Sequence, residues 1–241
     1  MDITLSPTSL KKRSFLYRKH IELGATFGEI GGFAVPMAYG SSIEKEVSIA
    51  HQMGIADLSH VPRVGFKGWN AHKWIISQGS SVGNDSNFSY AQPCGADILR
   101  LAPNEFVILD NLDATSSLVP RLDTFWHSEE NDGTYYVPRA DTNCWLKVTG
   151  EFATKMFAKI CAVDLRTQTF PNEKIAQTNI ARLNCIIIRN DIGLATTYDI
   201  LTDSAAADYF WSALLDAMEE FSGAPIGLSA VQQLYGVKTK D

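Results

Sequence analysis

The chain has 241 residues, 45% hydrophobic and 20% charged, which is typical of a globular protein with a sizeable core, in one large domain or two smaller ones. Its formal net charge of −6 argues against sequence-independent binding of nucleic acid, which needs clustered basic side chains. No apolar run approaches the roughly 20 residues of a membrane span, and residues 1–13 lack a signal-peptide core, so we expect no membrane association and a cytoplasmic location.

The first regular element is predicted over Ser42–Met53, where apolar side chains recur at helical spacing. Ser41 and Glu44 are placed for a capping box at its start, and Gly54 suits a left-handed residue after its end. The basic run Lys11–Arg13 upstream is interpreted as the solvated start of another helix rather than as a phosphate site.

Short strands, a helix and a hairpin follow in the middle of the chain. Strands are predicted over Ile55–Ser59 and Val64–Phe66, a helix around Ala71–Ile75, and a hairpin over Ile98–Leu109 that turns at Pro103-Asn104. The polar segment Ser128–Gly133 is the best candidate for a boundary, which divides the chain into halves 1–133 and 134–241.

A short pattern of the first half returns in the second half. The run Val64-x-Phe66-x-Gly68-x-x-Ala71 matches Leu146-x-Val148-x-Gly150-x-x-Ala153, at an offset of 150 − 68 = 82 residues. The match is short enough for chance to remain an alternative. We interpret it as an internal duplication whose halves stand side by side or interleave as one unit.

The C-terminal part is predicted to contain a buried strand at Cys185–Ile188, a hairpin over Asp191–Thr202 and an amphipathic helix over Ser204–Phe221. Short strands mixed with helices and hairpins favour an α+β fold with antiparallel sheets over a doubly wound parallel sheet.

Several common kinds of site are missing from the sequence. It has no Gly-x-Ser-x-Gly elbow, no Walker loop and no dinucleotide-binding glycine fingerprint. The five histidines show no metal-ligand spacing, so no metal site is predicted. The four cysteines are widely spaced and are interpreted as free, mostly buried thiols in a reducing compartment.

The segment Leu16–Gly68 carries a series of motifs in a defined order: Gly24-Ala25-Thr26-Phe27, Gly32-Phe33-Ala34-Val35-Pro36-Met37, and Asp57-Leu58-Ser59-His60. In this order they resemble the opening of the glycine-cleavage T-protein family, and the resemblance extends over about residues 15–235. It implies the tetrahydrofolate-binding fold of duplicated antiparallel-sheet and helix halves. It also implies transfer of one-carbon groups from a small methylated substrate to tetrahydrofolate. The family's C-terminal barrel domain is expected to be lacking in this chain.

The same resemblance implies roles for individual residues. Asp97, opening a hairpin, matches the family's catalytic carboxylate, although it is also a plausible hairpin cap. Asp199 matches the glutamate that holds the pterin, one methylene shorter, with a strand-edge aspartate as the alternative. Tyr90 and Tyr198 are candidates for the aromatic part of the cofactor site. His60 is a further candidate, although the loop after it contains a proline that the family pattern lacks.

A second resemblance points to a different role. Leu99–Phe106, Val163–Arg166 and Asp208–Leu215 are similar to segments in the gamma subunit of heterotetrameric sarcosine oxidase. In that complex the small subunit has the folate-binding fold without being where folate binds. The alternative hypothesis is therefore a non-catalytic subunit of a multi-chain demethylating oxidase, with a flavoprotein partner or self-association covering its surface.

Overall fold

The computed structural model describes residues 5–127, 129–130 and 132–236. Within these ranges it has fourteen strands and seven α-helices. The strands are β1 (Lys12–Arg13), β2 (Thr26–Ile30), β3 (Phe33–Ala38), β4 (Gly54–Asp57), β5 (Arg63–Lys67), β6 (Phe88–Ala91), β7 (Asp97–Ala102), β8 (Glu105–Leu109), β9 (Tyr135–Pro138), β10 (Asn143–Thr149), β11 (Ile175–Ile180), β12 (Leu183–Arg189), β13 (Thr197–Asp203) and β14 (Ala224–Pro225). The helices are α1 (Tyr17–Glu22), α2 (Ile43–Gln52), α3 (Ala71–Ser77), α4 (Leu118–Phe125), α5 (Ala153–Ile160), α6 (Ala207–Met218) and α7 (Leu228–Leu234).

Two large sheets carry the fold. One has five antiparallel strands in the order β6-β7-β8-β5-β9, and the other has six strands in the order β11-β12-β13-β10-β4-β14. Only β14 runs parallel to its neighbour in these two sheets, so the expected α+β class with antiparallel sheets is confirmed. Strand β4 comes from the first half of the sequence yet pairs with β10 from the second half.

The two large sheets share an apolar layer. Leu99 and Val107 of the five-stranded sheet belong to the same cluster as Ile188 and Leu201 of the six-stranded sheet. Because side chains alternate across a strand, the opposite face of each sheet is free for helices. There, α5 and α6 cover the six-stranded sheet, and α3 and α4 cover the five-stranded sheet.

The third, three-stranded sheet lies near the N-terminus, with the order β1-β3-β2. Its edge strand β1 consists of Lys12–Arg13 and pairs in parallel with Phe33–Ala34. The interpretation of this basic run as a helix start was therefore wrong. The first α-helix begins later, at Tyr17.

The unit of strand, glycine and helix occurs at both repeat positions. Gly68 separates β5 from α3 at a φ of +127°, and Gly150 separates β10 from α5 at a φ of +109°. A Cβ on Gly68 would lie 2.1 Å from the carbonyl oxygen of Gly133, and one on Gly150 would lie 2.3 Å from that of Gln52. Both turns therefore require glycine. The division at residue 133 remains a prediction, and residues 128 and 131 of the boundary segment lie outside the described residues.

Two details at helix α2 correct the expectations. Its N-cap is Ser42, whose hydroxyl accepts from the backbone N–H of Lys45 at 3.4 Å, and not Ser41. Gly54 does not adopt a left-handed conformation but opens β4. A glycine is needed there because a Cβ would lie 2.8 Å from Oγ1 of Thr149.

All four cysteines are free. Cys144 and Cys185 are buried, Cys161 is half-buried and Cys94 is exposed, so the expectation of mostly buried thiols holds for only two of them. In the part of the chain that the structure describes, no helix has the length and apolar character needed to cross a bilayer.

Candidate functional site

A cavity of about 230 Å³ lies where β7, β10, β13 and α7 approach one another. It is somewhat smaller than the roughly 300–1,000 Å³ of most ligand pockets, so it has room for one end of a larger ligand. Its lining residues are Gly95, Asp97, Asp110, Asn111, Leu112, Asp113, Trp145, Lys147, Asn190, Asp199, Gln232 and Tyr235.

The Asp199 carboxylate is held by three donors. Its Oδ1 accepts from Trp145 Nε1 at 2.8 Å, and its Oδ2 accepts from Lys147 Nζ at 2.9 Å and from Asn190 Nδ2 at 3.1 Å. Lys147 and Asp199 lie directly opposite each other in the register of β10 and β13, and both side chains are almost fully buried. Burial lowers the pKa of Lys147, but the charge and hydrogen bond of Asp199, together with Tyr235 and Asp97, outweigh this and leave that pKa raised. Lys147 is therefore an ammonium at neutral pH.

Asp97 lies beside this pair but keeps a freer carboxylate. Asn190 Nδ2 bridges the two acids, lying 3.3 Å from Asp97 Oδ2 and 3.1 Å from Asp199 Oδ2. Burial, reinforced by the Asp199 charge and opposed by the Lys147 charge, raises the pKa of Asp97 to about 6. Such a group exchanges a proton close to neutral pH, which is what general acid–base catalysis requires.

The segment after β8 supplies a further acidic wall. Asp110 is 3% exposed, and its Oδ1 accepts from the backbone N–H of Asn111 at 2.7 Å. Its Oδ2 has no hydrogen-bond partner among the described residues. Asp113 accepts from Gln232 Nε2 at 2.7 Å, which ties this wall to α7.

The structure brings together two of the five residues predicted for the site. Asp97 and Asp199 converge on the cavity, whereas Tyr90, Tyr198 and His60 do not line it. Tyr90 exchanges hydrogen bonds with the backbone of Asp85. Tyr198 points to the opposite face of its strand, where its hydroxyl donates to the Leu165 carbonyl oxygen at 2.6 Å.

His60 is buried next to the cavity wall. Its Nε2 lies 3.3 Å from the carbonyl oxygen of Leu112, a lining residue, but His60 itself lines a second cavity. Burial lowers its pKa to about 4, so the ring is neutral at physiological pH.

Three important site residues escaped the sequence analysis: Lys147, Asn190 as a bridging group, and Asp110. Lys147 occupies an alternate position in the run Leu146-x-Val148, where a lysine ordinarily indicates a solvent-facing side chain. Its pairing with Asp199 follows only from the register of two strands about 50 residues apart. The described residues contain no group of three or more His, Cys, Asp or Glu side chains placed to hold a metal ion.

Similarity to known proteins agrees with this architecture. The profile of the family described as "GCVT N-terminal domain" matches residues 16–235. An aminomethyltransferase of Thermotoga sp. (strain RQ2) is 21% identical over 230 residues, covering 91% of this chain and 62% of the relative. One of Corynebacterium jeikeium (strain K411) is 24% identical over 252 residues, covering 92% and 62%. The chain thus spans about 62% of the length of these curated relatives.

Two solved structures share the fold. The glycine cleavage system aminomethyltransferase T from Bartonella henselae superposes with a TM-score of 0.71 at 17% identity, covering 93% of this chain and 62% of that one. A chain of the heterotetrameric sarcosine oxidase from Corynebacterium sp. U-96 superposes with a TM-score of 0.63 at 18% identity, covering 90% and 99%. Both resemblances expected from the sequence are thereby confirmed. Because the profile match extends over most of its length, the chain belongs to the GCVT N-terminal domain family.

Proposed function

We propose that this chain transfers a one-carbon group, methyl or aminomethyl, from a small methylated substrate to tetrahydrofolate. The observation that supports the proposal most directly is Asp97, a carboxyl group with a pKa of about 6 at a cavity. Family membership supplies the reaction class. The unpaired cysteines favour a reducing, cytoplasmic location.

The lining residues fit one end of tetrahydrofolate. Asp97 Oδ1 has no partner within the described chain and is available to accept from a ring or amino N–H. Leu112, Trp145 and Tyr235 supply apolar and aromatic walls for a flat ring. When bound, tetrahydrofolate would supply the nitrogen that takes up the one-carbon group.

In this proposal Asp97 moves a proton. The Asp97 carboxylate would accept the proton that is released when tetrahydrofolate takes up the one-carbon group. Asp97 would then donate that proton to the substrate's leaving atom as the bond from that atom to carbon breaks. Asn190 orients Asp97 through its amide, while Lys147 and Trp145 fix Asp199 and through it Asn190.

The contacts of Asp199 narrow its role. Its two oxygens already accept from three protein donors, so a bidentate pair with a pterin edge would require at least one of them to leave. We therefore assign Asp199 to positioning Asn190 and to raising the pKa of Asp97. Asp97, which accepts from a single protein donor, is the carboxylate that we propose for contact with the cofactor.

A non-catalytic subunit remains the second candidate. The observation in its favour is that a chain of the heterotetrameric sarcosine oxidase shares this fold, with a TM-score of 0.63. A subunit of this kind would retain the fold without needing a functional Asp97.

Isothermal titration with tetrahydrofolate and 5-formyltetrahydrofolate separates the two proposals. For the transferase we expect one-to-one binding near micromolar affinity. We also expect turnover of a methylated amine that falls about 10²–10⁴-fold in Asp97→Asn, the usual contribution of a general acid–base group. Asp216→Asn, at an exposed position on α6, is the matched control and should leave turnover unchanged. A folded chain that binds neither folate at millimolar concentration would overturn the transferase and favour the subunit.

A further inference from the structure

A second cavity of about 480 Å³ lies on the far side of His60 from the first. It is formed by strand β1, the loop that joins β4 to β5, and the residues after β9. Four cationic residues line it, Lys11, Lys12, Arg13 and Arg63, against a single acidic residue, Asp141. In a chain of net charge −6, such a concentration of positive charge favours an anionic ligand.

Arg63 brings a buried charge to this cavity. The residue is 2% exposed, and its Nη atoms donate to backbone carbonyl oxygens, including those of Ser59 at 3.1 Å, Val61 at 2.7 Å and Ala140 at 2.8 Å. No carboxylate pairs with it in the described chain, and its Nε–H has no acceptor there. Burial lowers its pKa to about 10, which still leaves the guanidinium charged at neutral pH. A buried cation with a free donor is stabilised by an anion.

His60 carries an unused hydrogen-bond acceptor, whereas Arg63 carries an unused donor. The Leu112 carbonyl oxygen near its Nε2 can only accept, so Nε2 carries the proton of the neutral ring. Nδ1 is then an acceptor, and it is buried without any donor in the described residues. His60 itself is 4% exposed. Two residues that line the cavity thus each carry one buried, unused polar atom, the donor Nε–H of Arg63 and the acceptor Nδ1 of His60.

The two basic residues of β1, Lys12 and Arg13, contribute positive charge to this cavity. Lys12 Nζ lies 5.4 Å from the ring centre of Phe33, and the Arg13 guanidinium lies 4.9 Å from that of Tyr17. Neither has an ion-pair partner within the described ranges. Aromatic contacts of this kind hold a cation in place without neutralising it.

We propose that this second cavity binds a small oxyanion that also carries an O–H group. Arg63 Nε–H would donate to the anionic oxygen, the ligand O–H would donate to His60 Nδ1, and Lys12 and Arg13 would add electrostatic attraction at the entrance. Hydrogenphosphate and 2-hydroxycarboxylates share this chemistry. The site is separate from the cavity that contains Asp97, because His60 and Leu112 stand between them.

Paired ligands test the proposal directly. Phosphate and glycolate carry an O–H at neutral pH, whereas sulfate and acetate are their matched anions without one. Long-range ¹H–¹⁵N spectra of the intact chain report on the ring nitrogens of His60. We expect phosphate or glycolate to shift the Nδ1 resonance and to bind up to about tenfold more tightly than its matched anion, the effect of one additional hydrogen bond to a neutral acceptor. If phosphate meets this expectation, the ligand is a phosphate; if glycolate meets it, the ligand is a 2-hydroxycarboxylate.

Variants provide the second measurement. Lys12→Gln combined with Arg13→Gln should weaken binding several-fold, whereas Lys45→Gln, exposed on α2, should not. Asp97→Asn should leave phosphate and glycolate binding unchanged, which separates this proposal from the transferase. Equal binding of sulfate and phosphate, or a His60 Nδ1 resonance that no ligand moves, would overturn it.

Discussion

Replacing Asp97 by asparagine should stabilise the fold while lowering the proposed activity about 10²–10⁴-fold. The ordinary pKa of an aspartate is 3.8, and burial together with the Asp199 charge raises that of Asp97 to about 6. A pKa difference of about 2.2 corresponds to about 3 kcal/mol of free energy. Because Asp97 is partly exposed, we take this as the upper bound for the destabilisation that ionising its carboxyl group imposes on the fold at neutral pH.

The sign of the change in stability caused by Asp97→Asn follows from its pH dependence. Below pH 4 the carboxyl of Asp97 is protonated in both the folded and the unfolded chain, so Asp97→Asn should have little effect there. Between pH 4 and pH 6 the unfolded chain ionises first, and the native protein loses stability as the pH rises. The gain from Asp97→Asn should therefore grow across this window and reach a plateau, at up to about 3 kcal/mol, above pH 6.

Urea denaturation at a series of pH values measures this gain. Asp216→Asn is the control, because an exposed substitution should change the free energy of unfolding by no more than about 0.5 kcal/mol at any pH. An Asp97→Asn variant that is less stable than the parent at pH 7, or whose gain is independent of pH, would refute the assignment of a raised pKa.

Three further predictions concern stability. Lys147→Met should lower the free energy of unfolding by about 3–5 kcal/mol at pH 7 in urea denaturation, because it leaves the Asp199 carboxylate buried without its ion-pair partner. Replacing Asp199 by leucine in the same chain should recover much of the loss, and a Lys147→Met variant as stable as the parent would contradict the burial of the pair. Gly150→Ala should lower the free energy of unfolding by about 2 kcal/mol or more, whereas Gly79→Ala, at a φ of +82° but with no atom within 4 Å of the added Cβ, should cost clearly less; equal losses would show that the close backbone contact at Gly150 is unimportant. Burial opposes ionisation of Asp57, yet its hydrogen bonds and the neighbouring His20 lower its pKa to about 2. Asp57→Asn should therefore lose about 2 kcal/mol of stability above pH 4 and progressively less as the pH falls towards 2. A loss of stability that stays constant in acid titration would be inconsistent with that pKa.

Elements with a strong local pattern were predictable from the sequence. The hairpin of β7 and β8, the helix α6 and the buried strand β12 all lie where alternation or helical spacing placed them. Buried side chains such as Phe210 and Leu214 follow the predicted stripe of α6. In each of these elements the burial pattern repeats within a few residues, so local periodicity carries the information.

Contacts between distant segments were not predictable in this way. Glu46 lies on α2, where a glutamate ordinarily indicates the solvated face, but it is 1% exposed. Its carboxylate accepts from the backbone N–H groups of Tyr39 at 2.6 Å and Gly227 at 2.7 Å. Gly227 is 181 residues away in the sequence, so no local pattern reveals that this buried carboxylate joins two loops.

The same distinction between local patterns and distant contacts applies to the candidate site. Asp97 and Asp199 were identified because each belongs to a motif with a family resemblance. What distinguishes them is their surroundings, since Lys147 and Trp145 both donate hydrogen bonds to Asp199, whereas Asp97 accepts one from Asn190. These surroundings depend on strand register and are invisible in the order of residues.

Asp97 and Asp199 line the same cavity but have different surroundings. Two carboxylates bridged by a single amide, as Asp97 and Asp199 are by Asn190, would ordinarily titrate as a coupled pair. The Lys147 ammonium lies 2.9 Å from Asp199 and removes this symmetry. Burial is the largest cause of the raised pKa of Asp97, and the Asp199 charge adds to it while the Lys147 charge opposes it. In the proposed reaction Lys147 is a positioning residue, which holds Asp199 through an ion pair and acts on Asp97 through its charge.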